Sequence, residues 1–217
     1  MEELEKRPWY DMKLEEFRTI TVDDNDNSYF SYKQAWSRVY EYPLVLDMID
    51  KYCGNFGELS VHNTCWGWEG VHIVFKEYLE SRFASVVNTD RNRSNHENTD
   101  VWDISHPCPE EYKEKFDVVL NVSTLEEVPA AIQEKCFFNM MDQVKTGGIF
   151  ICTFDIPGLN IPLFENMFDS GKMFDASKHP HIYEPLSPPE NLNGANSVLP
   201  NPRYKHLNCG IMVIRKL

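Results

Sequence analysis

The sequence predicts a doubly wound α/β fold, and three observations lead there. Short apolar runs alternate with amphipathic stretches of helical period between Glu58 and Asp155. The runs ASVVNTD, FDVVLNV and IFICTFD lack a polar alternation, which is the pattern of strands buried on both faces. Between the last two lies PAAIQEKCFFNMMDQVKTGG, a helix that opens with Pro129 and closes at Gly147, so the flanking strands are joined by a crossover and run parallel.

Each element follows from its own local pattern. Residues 1–29 are polar and acidic and end in TVDDNDNSYF, turn formers without an apolar period, which predicts an arm or lid ahead of a domain spanning 30–217. From Ser31 to Tyr52, Trp36, Val39, Tyr40, Leu44, Met48 and Ile49 recur at helical spacing, with Pro43 expected to break or restart the helix. ELSVHN reads as a strand, EGVHIVFKEYLESRF as a helix, ASVVNTD as a strand and TDVWDI as a shorter one. FDVVLNV, the Pro129 helix and IFICTFD follow. The variable segment 156–206 concentrates Pro, Asn and Gly, with one helix near Ile161 to Phe168, and is where acceptor contacts are expected. HLNCGIMVIRKL reads as a closing strand.

Composition narrows the partners. With 217 residues, 42% of them hydrophobic, the chain can bury one sizeable core. A formal charge of −13 repels phosphate backbones and anionic lipid, so neither nucleic acid nor a membrane surface is expected as a partner. The six cysteines show no CxxC and no metal-style clustering, which predicts reduced thiols and no zinc site. The charged N-terminus MEELEKRPWYDMKLEEF has no apolar leader region, and no run approaches the ~20 apolar residues of a membrane span. A soluble, cytoplasmic protein is the expectation.

The stretch EKFDVVLNVSTLEEVPAAIQEKCFFNMMDQVKTGGIFICTFD, Glu114 to Asp155, resembles the second half of class I S-adenosylmethionine-dependent methyltransferases. In that family a strand of FDvV form is followed by an "stlEhv" segment, a helix, a "kpGG" turn and another apolar strand. Here Phe116 to Val119, Ser123 to Val128 and Lys145-Thr146-Gly147-Gly148 match in order and spacing. The resemblance implies a mostly parallel Rossmann-like methyltransferase sheet with an antiparallel C-terminal strand, and S-adenosyl-L-methionine as cofactor. It also implies site residues. The loop from Asn63 through Thr64 and Gly67 to Gly70 would pass beneath the methionine and ribose. Asp90 would accept from the ribose hydroxyls, Asp103 and Ile104 would lie beside the adenine, and Asn121 and Ser123 would border the methyl group. Arg38 and Tyr42 could reach the cofactor carboxylate from the first helix.

This sequence departs from the family at the first loop. An acidic residue and a GxGxG-like loop are usual there; here His62 or Asn63 is followed by TCWGWEG. Trp66 and Trp68 could stack on a ligand or wedge between helix and sheet, and one in each role is expected. Glu127 stands where histidine is common. The end, LNGANSVLPNPRYKHLNCGIMVIRKL, looks like the closing strands of methyltransferases that modify sugars in bacterial and viral glycans, sometimes found beside glycosyltransferases. That implies O-methylation of a sugar hydroxyl in a glycan or small glycoside, with a glycosyltransferase as a candidate partner.

A sugar hydroxyl needs a base to become nucleophilic. The leading candidates are Asp155, at the end of IFICTFD, and His181 in KHPHIYEP, with Glu126 and Glu127 behind them. Asp155 could equally organise the Ile156-Pro157-Gly158 turn, and Glu126 and Glu127 could serve the N-terminus of the following helix. His179 and His181 flank Pro180 as a loop pair without a third ligand, so no metal site is expected. Two other readings remain: a non-catalytic methyltransferase-like binding module, and a Rossmann-type oxidoreductase, which the missing GxGxxG disfavours.

Overall fold

A computed structural model of the chain describes residues 38–67, 71–92, 98–156, 158–164, 183–191 and 208–217. The long α-helices within them are α1 (Arg38–Cys53), α2 (Val71–Arg82) and α3 (Ala130–Met141). The strands are β1 (Ser60–Thr64), β2 (Ser85–Asp90), β3 (Thr99–Val101), β4 (Phe116–Val122), β5 (Val144–Ile156), β6 (Tyr183–Asn191) and β7 (Asn208–Lys216). They form a seven-stranded sheet in the order β3-β2-β1-β4-β5-β7-β6. The first five strands are mutually parallel, and β7 runs antiparallel between β5 and β6. The doubly wound, mostly parallel sheet with an antiparallel C-terminal strand is therefore present.

Strand periodicity explains the two layers. Along β4, Val118, Leu120 and Val122 point to one face and join Val61, Ile149, Ile151, Ile211 and Val213 under α1 and α2. Val119 points to the other face with Phe150, Cys152, Phe154, Met212 and Ile214, where Phe137, Met140 and Met141 of α3 cover it. Side chains alternate across a strand, so an unbroken apolar run is what a sheet with helices on both faces requires. Among the described residues no helix is long and apolar enough to cross a membrane.

Three expectations from the sequence are corrected by the structure. Helix α1 continues through Pro43 to Cys53 without a break. A proline there deletes one backbone hydrogen bond, while Tyr42, Val45, Leu46 and Ile49 anchor the helix on either side of it. Helix α3 ends at Met141, short of Gly147, and the Lys145–Gly148 segment belongs to the start of β5, where the pairing with β4 shifts register between Phe116 and Val118. The helix expected near Ile161 to Phe168 is described only over 161–164. The segment 156–206, whose composition predicts no strand, also contains β6. Pro185, Pro188 and Pro189 hid it, and an edge strand with register shifts tolerates them because half its amides face away from the ladder. The arm at 1–29 lies outside the described residues.

Candidate functional site

The crossovers leave the sheet in opposite directions on either side of the β1/β4 pair, and a crevice opens there beyond the carboxyl ends of the strands. It holds a cavity of about 420 Å3. Five segments build its wall: Arg38 from α1, Cys65 and Gly67 after β1 with His72 of α2, Asp90 to Asn92 at the end of β2, Asp103 to Ser105 after β3, and Val122 to Thr124 with Glu127 after β4. Apolar cover comes from Ile104, Val128 and Ile132.

The backbone turns sharply at both switch-point strands. Cys65, directly after β1, has φ 51°, and Ser123, directly after β4, has φ 46°. Left-handed conformations cost a residue with a Cβ on the order of 1 kcal/mol, and such strain collects where a chain is bent to serve a site. Gly67 has φ 83°, and a Cβ added there would stand 2.8 Å from the His72 ring. The one glycine of this loop that the structure describes is thus required twice, by its φ and by the ring closed against it.

The sequence-predicted residues divide into two groups. Arg38, Gly67, Asp90, Asp103 and Ile104 line the cavity together, although they come from four separate segments. Asp90 Oδ1 accepts from the Asn92 amide at 2.9 Å, which fixes the carboxylate at the strand end. Asp103 Oδ1 accepts from the Ser105 amide at 2.8 Å, and this hydrogen bond holds its carboxyl below the ordinary carboxylate range despite some burial. Asn63, Thr64 and Asn121 are not on the cavity wall. Asn63 donates to Asn88 Oδ1 at 3.0 Å; Thr64 donates to the Leu120 carbonyl at 2.6 Å; Asn121 donates to Thr64 Oγ1 at 3.1 Å and accepts from the Leu125 amide at 3.0 Å. These three side chains tie β1 to its neighbours and set the turn after β4.

Of the proposed bases, Asp155 is half-buried at the end of β5 and is not among the residues on the cavity wall. Its amide donates to Glu126 Oε1 at 2.9 Å. His181 lies outside the described residues, as does Trp68. Trp66 is buried, with the Lys76 ammonium 5.7 Å from its ring centre, so it serves the packing role. His62 is also buried, between Thr89 Oγ1 at 2.9 Å and Gln143 Oε1. Burial pushes its pKa down to about 3, and since Gln143 Oε1 only accepts, Nδ1 carries the proton.

Sequence reasoning missed the polar cluster beneath α1. Glu41 is fully buried; its Oε2 receives Arg38 Nη1 and its Oε1 receives Ser123 Oγ, each at 2.5 Å. Burial alone would raise the Glu41 carboxyl, but the Arg38 guanidinium and the Ser123 hydroxyl outweigh it and hold the group ionised. One turn along the helix from Arg38, the Tyr42 hydroxyl lies 2.6 Å from His72 Nδ1, and burial raises the Tyr42 hydroxyl and lowers His72 to about 3. Glu126 stands behind this cluster with its carboxyl pushed up to about 8, chiefly by burial. Among the described residues no group of His, Cys, Asp and Glu is arranged to hold a metal ion.

The strand order, with its one reversed strand next to the edge, decides the fold. The chain has the class I methyltransferase fold. The 1,6-didemethyltoxoflavin N1-methyltransferase of Burkholderia thailandensis, solved with 1,6-didemethyltoxoflavin and S-adenosylhomocysteine, superposes with TM-score 0.55 at 13% identity over 94% of this chain and 91% of that one. Magnesium protoporphyrin IX methyltransferase from Synechocystis PCC 6803, solved with S-adenosylmethionine, gives TM-score 0.53 at 14% identity over 95% and 92%. The cyclase SpnF gives 0.54 at 12% identity over 80% of each chain. The same fold thus carries more than one reaction, and the site must decide which applies. No protein-family model and no curated protein matches the sequence.

Proposed function

We propose that the protein is an S-adenosylmethionine-dependent methyltransferase whose acceptor is a hydroxyl of a sugar in a glycan or small glycoside. The observation that carries the first part is that Asp90, the Asp103-Ile104 pair and the Gly67 loop line one cavity at the switch point. Their chemistry suits an adenosyl ligand. Asp90, at the end of β2, offers a carboxylate to vicinal hydroxyls; Ile104 offers an apolar side chain to a flat ring, beside the ionised Asp103 as an acceptor for an amine. Gly67 leaves room where a side chain would strike His72. The O-methyl and sugar specificity rests on the family resemblance of the C-terminal segment.

When bound, the cofactor supplies an electrophilic methyl group. The chain's task is then to align an acceptor and remove its proton. Glu127 is the carboxylate after β4 that lines the cavity, and it is exposed enough to meet an acceptor entering from solvent. We assign it the base's role, with Asp155 and His181 as the alternatives. Glu126 supports the same turn by accepting the Asp155 amide.

Calorimetry with S-adenosylhomocysteine, followed by transfer of labelled methyl to a panel of sugars, tests the reading. Asp90→Ala is expected to weaken cofactor affinity by about 10- to 100-fold, because bound hydroxyls would lose their acceptor. Glu127→Gln is expected to lower kcat by about 100-fold or more while leaving cofactor affinity unchanged. Binding without transfer to any acceptor would instead favour the binding-module reading.

A further inference from the structure

We propose that His62 is a positioning residue for the cavity, the hub of a buried hydrogen-bond chain that ties the segments carrying Asp90 and Asp103 to each other through α3. The two ends of the chain lie one residue from those carboxylates: Thr89 stands immediately before Asp90, and Ile104 immediately after Asp103. Thr89 Oγ1 meets His62 Nε2 at 2.9 Å, and His62 Nδ1 meets Gln143 Oε1. Gln143 Nε2 then donates to the Asn139 carbonyl at 3.2 Å, and Asn139 Nδ2 to the Ile104 carbonyl at 2.8 Å. The links come from β2, β1, the end of α3 with the turn after it, and the loop after β3, and all five residues are buried. Thr89, His62, Asn139 and Gln143 are not on the cavity wall, so whatever they do for a ligand they do through Asp90, Asp103 and Ile104.

The chain has a single polarity. A carbonyl oxygen only accepts, so the Asn139 carbonyl takes the amide nitrogen of Gln143 and leaves Oε1 for the histidine. His62 Nδ1 therefore carries the proton, Nε2 is bare, and the Thr89 hydroxyl donates to it. Reversing any link would set two donors or two acceptors against each other in the interior, which costs more than the hydrogen bond itself contributes. Packing holds the ring in register: the rings of Phe116, Tyr112 and Trp102 lie 4.9, 5.2 and 5.9 Å from it, centre to centre. The Trp102 amide also donates to the Asp90 carbonyl at 3.0 Å, a second tie between the same two segments. The spacing of Asp90 from the Asp103-Ile104 pair is thus fixed from behind the cavity, and an adenosyl group held between them depends on it. That last step rests on the function proposed above.

Titration calorimetry with S-adenosylhomocysteine and 5′-methylthioadenosine tests the brace through variants at its two ends. Thr89→Val is nearly isosteric and removes the donor at one end; Asn139→Leu removes it at the other. Each should weaken both ligands by about 10-fold, and the two ligands equally, because both carry the adenosyl part. Thr89→Ser keeps the hydroxyl and should bind as the wild type does. Unchanged affinity in either folded variant, or a loss in Thr89→Ser as large as in Thr89→Val, overturns the brace. Nitrogen NMR of His62 supplies a readout that packing alone would not move. The wild type should show a protonated Nδ1 and a bare Nε2, and Gln143→Leu should let both tautomers appear; a protonated Nε2 in the wild type refutes the chain. If the wild type binds neither adenosyl ligand, the proposed function fails instead, and amide hydrogen exchange at Ser105, whose amide donates to Asp103 Oδ1, then decides the brace. Exchange there should quicken in Asn139→Leu, and an unchanged rate counts against it.

Discussion

The Glu126 carboxyl sits in the turn after β4 with Oε1 on the Asp155 amide, while Oε2 is buried and has no hydrogen-bond partner among the described residues. Its pKa rises from 4.5 to about 8, mainly because burial penalises the charge. A carboxyl with a raised folded pKa binds its proton more tightly in the folded chain, so its contribution favours folding at low pH and is lost as pH climbs through that window. Glu126→Gln should therefore stabilise the protein above about pH 8, by at most roughly 5 kcal/mol, and change little near pH 4; denaturant titrations at the two pH values measure the difference. His62 works in the opposite sense. Its folded pKa is depressed to about 3, so its contribution is intact above the ordinary value of 6.5 and is lost as pH falls below it. Gly67→Ala should cost stability or ligand affinity by roughly 1 kcal/mol or more, read by thermal unfolding and calorimetry, because it adds both a left-handed Cβ and a clash with His72. Gly67, Asp90 and Asp103 were legible in the sequence because each follows a recognisable strand. His72 was not: at the start of α2 it looks like any helix residue, and only the fold brings Tyr42, 30 residues away, onto its ring.

At the scale of elements, α1 is tied to the turn after β4 by the bond between Glu41 and Ser123, residues 82 apart in sequence. The helix thereby carries Arg38 to the cavity, so its seating and the shape of the site are one matter. Glu41→Ala should destabilise the protein by about 3–5 kcal/mol, since it removes the carboxylate that neutralises the part-buried Arg38 guanidinium, whereas Glu41→Gln can still accept from Arg38 while its amide turns to donate to the Ser123 hydroxyl, and should cost less; chemical unfolding of both variants checks the order. No local pattern announces such a link, because its partners share neither a helix face nor a strand register. The strands of the parallel core were readable for the contrary reason: burial on both faces leaves an unbroken apolar run in the sequence itself. β6 was unreadable because its prolines argue against a strand, and only its place at the edge of the sheet makes them acceptable.

Across the whole molecule, the switch-point position converts separate strand ends into one cavity, whose charged wall carries Asp90, Asp103 and Glu127 with Arg38 and Arg91. The fold could be inferred from the periodicity and from the resemblance between Glu114 and Asp155. The division of the polar strand-end residues could not, because Asn63, Thr64 and Asn121 look as suitable for a ligand as Asp90 until the hydrogen bonds that consume them are seen. The central claim is that a cavity with a remodelled, glycine-poor first loop still takes an adenosyl cofactor. Titration calorimetry of the wild-type chain with S-adenosylhomocysteine tests it most directly. One saturable site per chain, weakened in Asp90→Ala, is the predicted result; no heat of binding, or binding that Asp90→Ala leaves untouched, would contradict it.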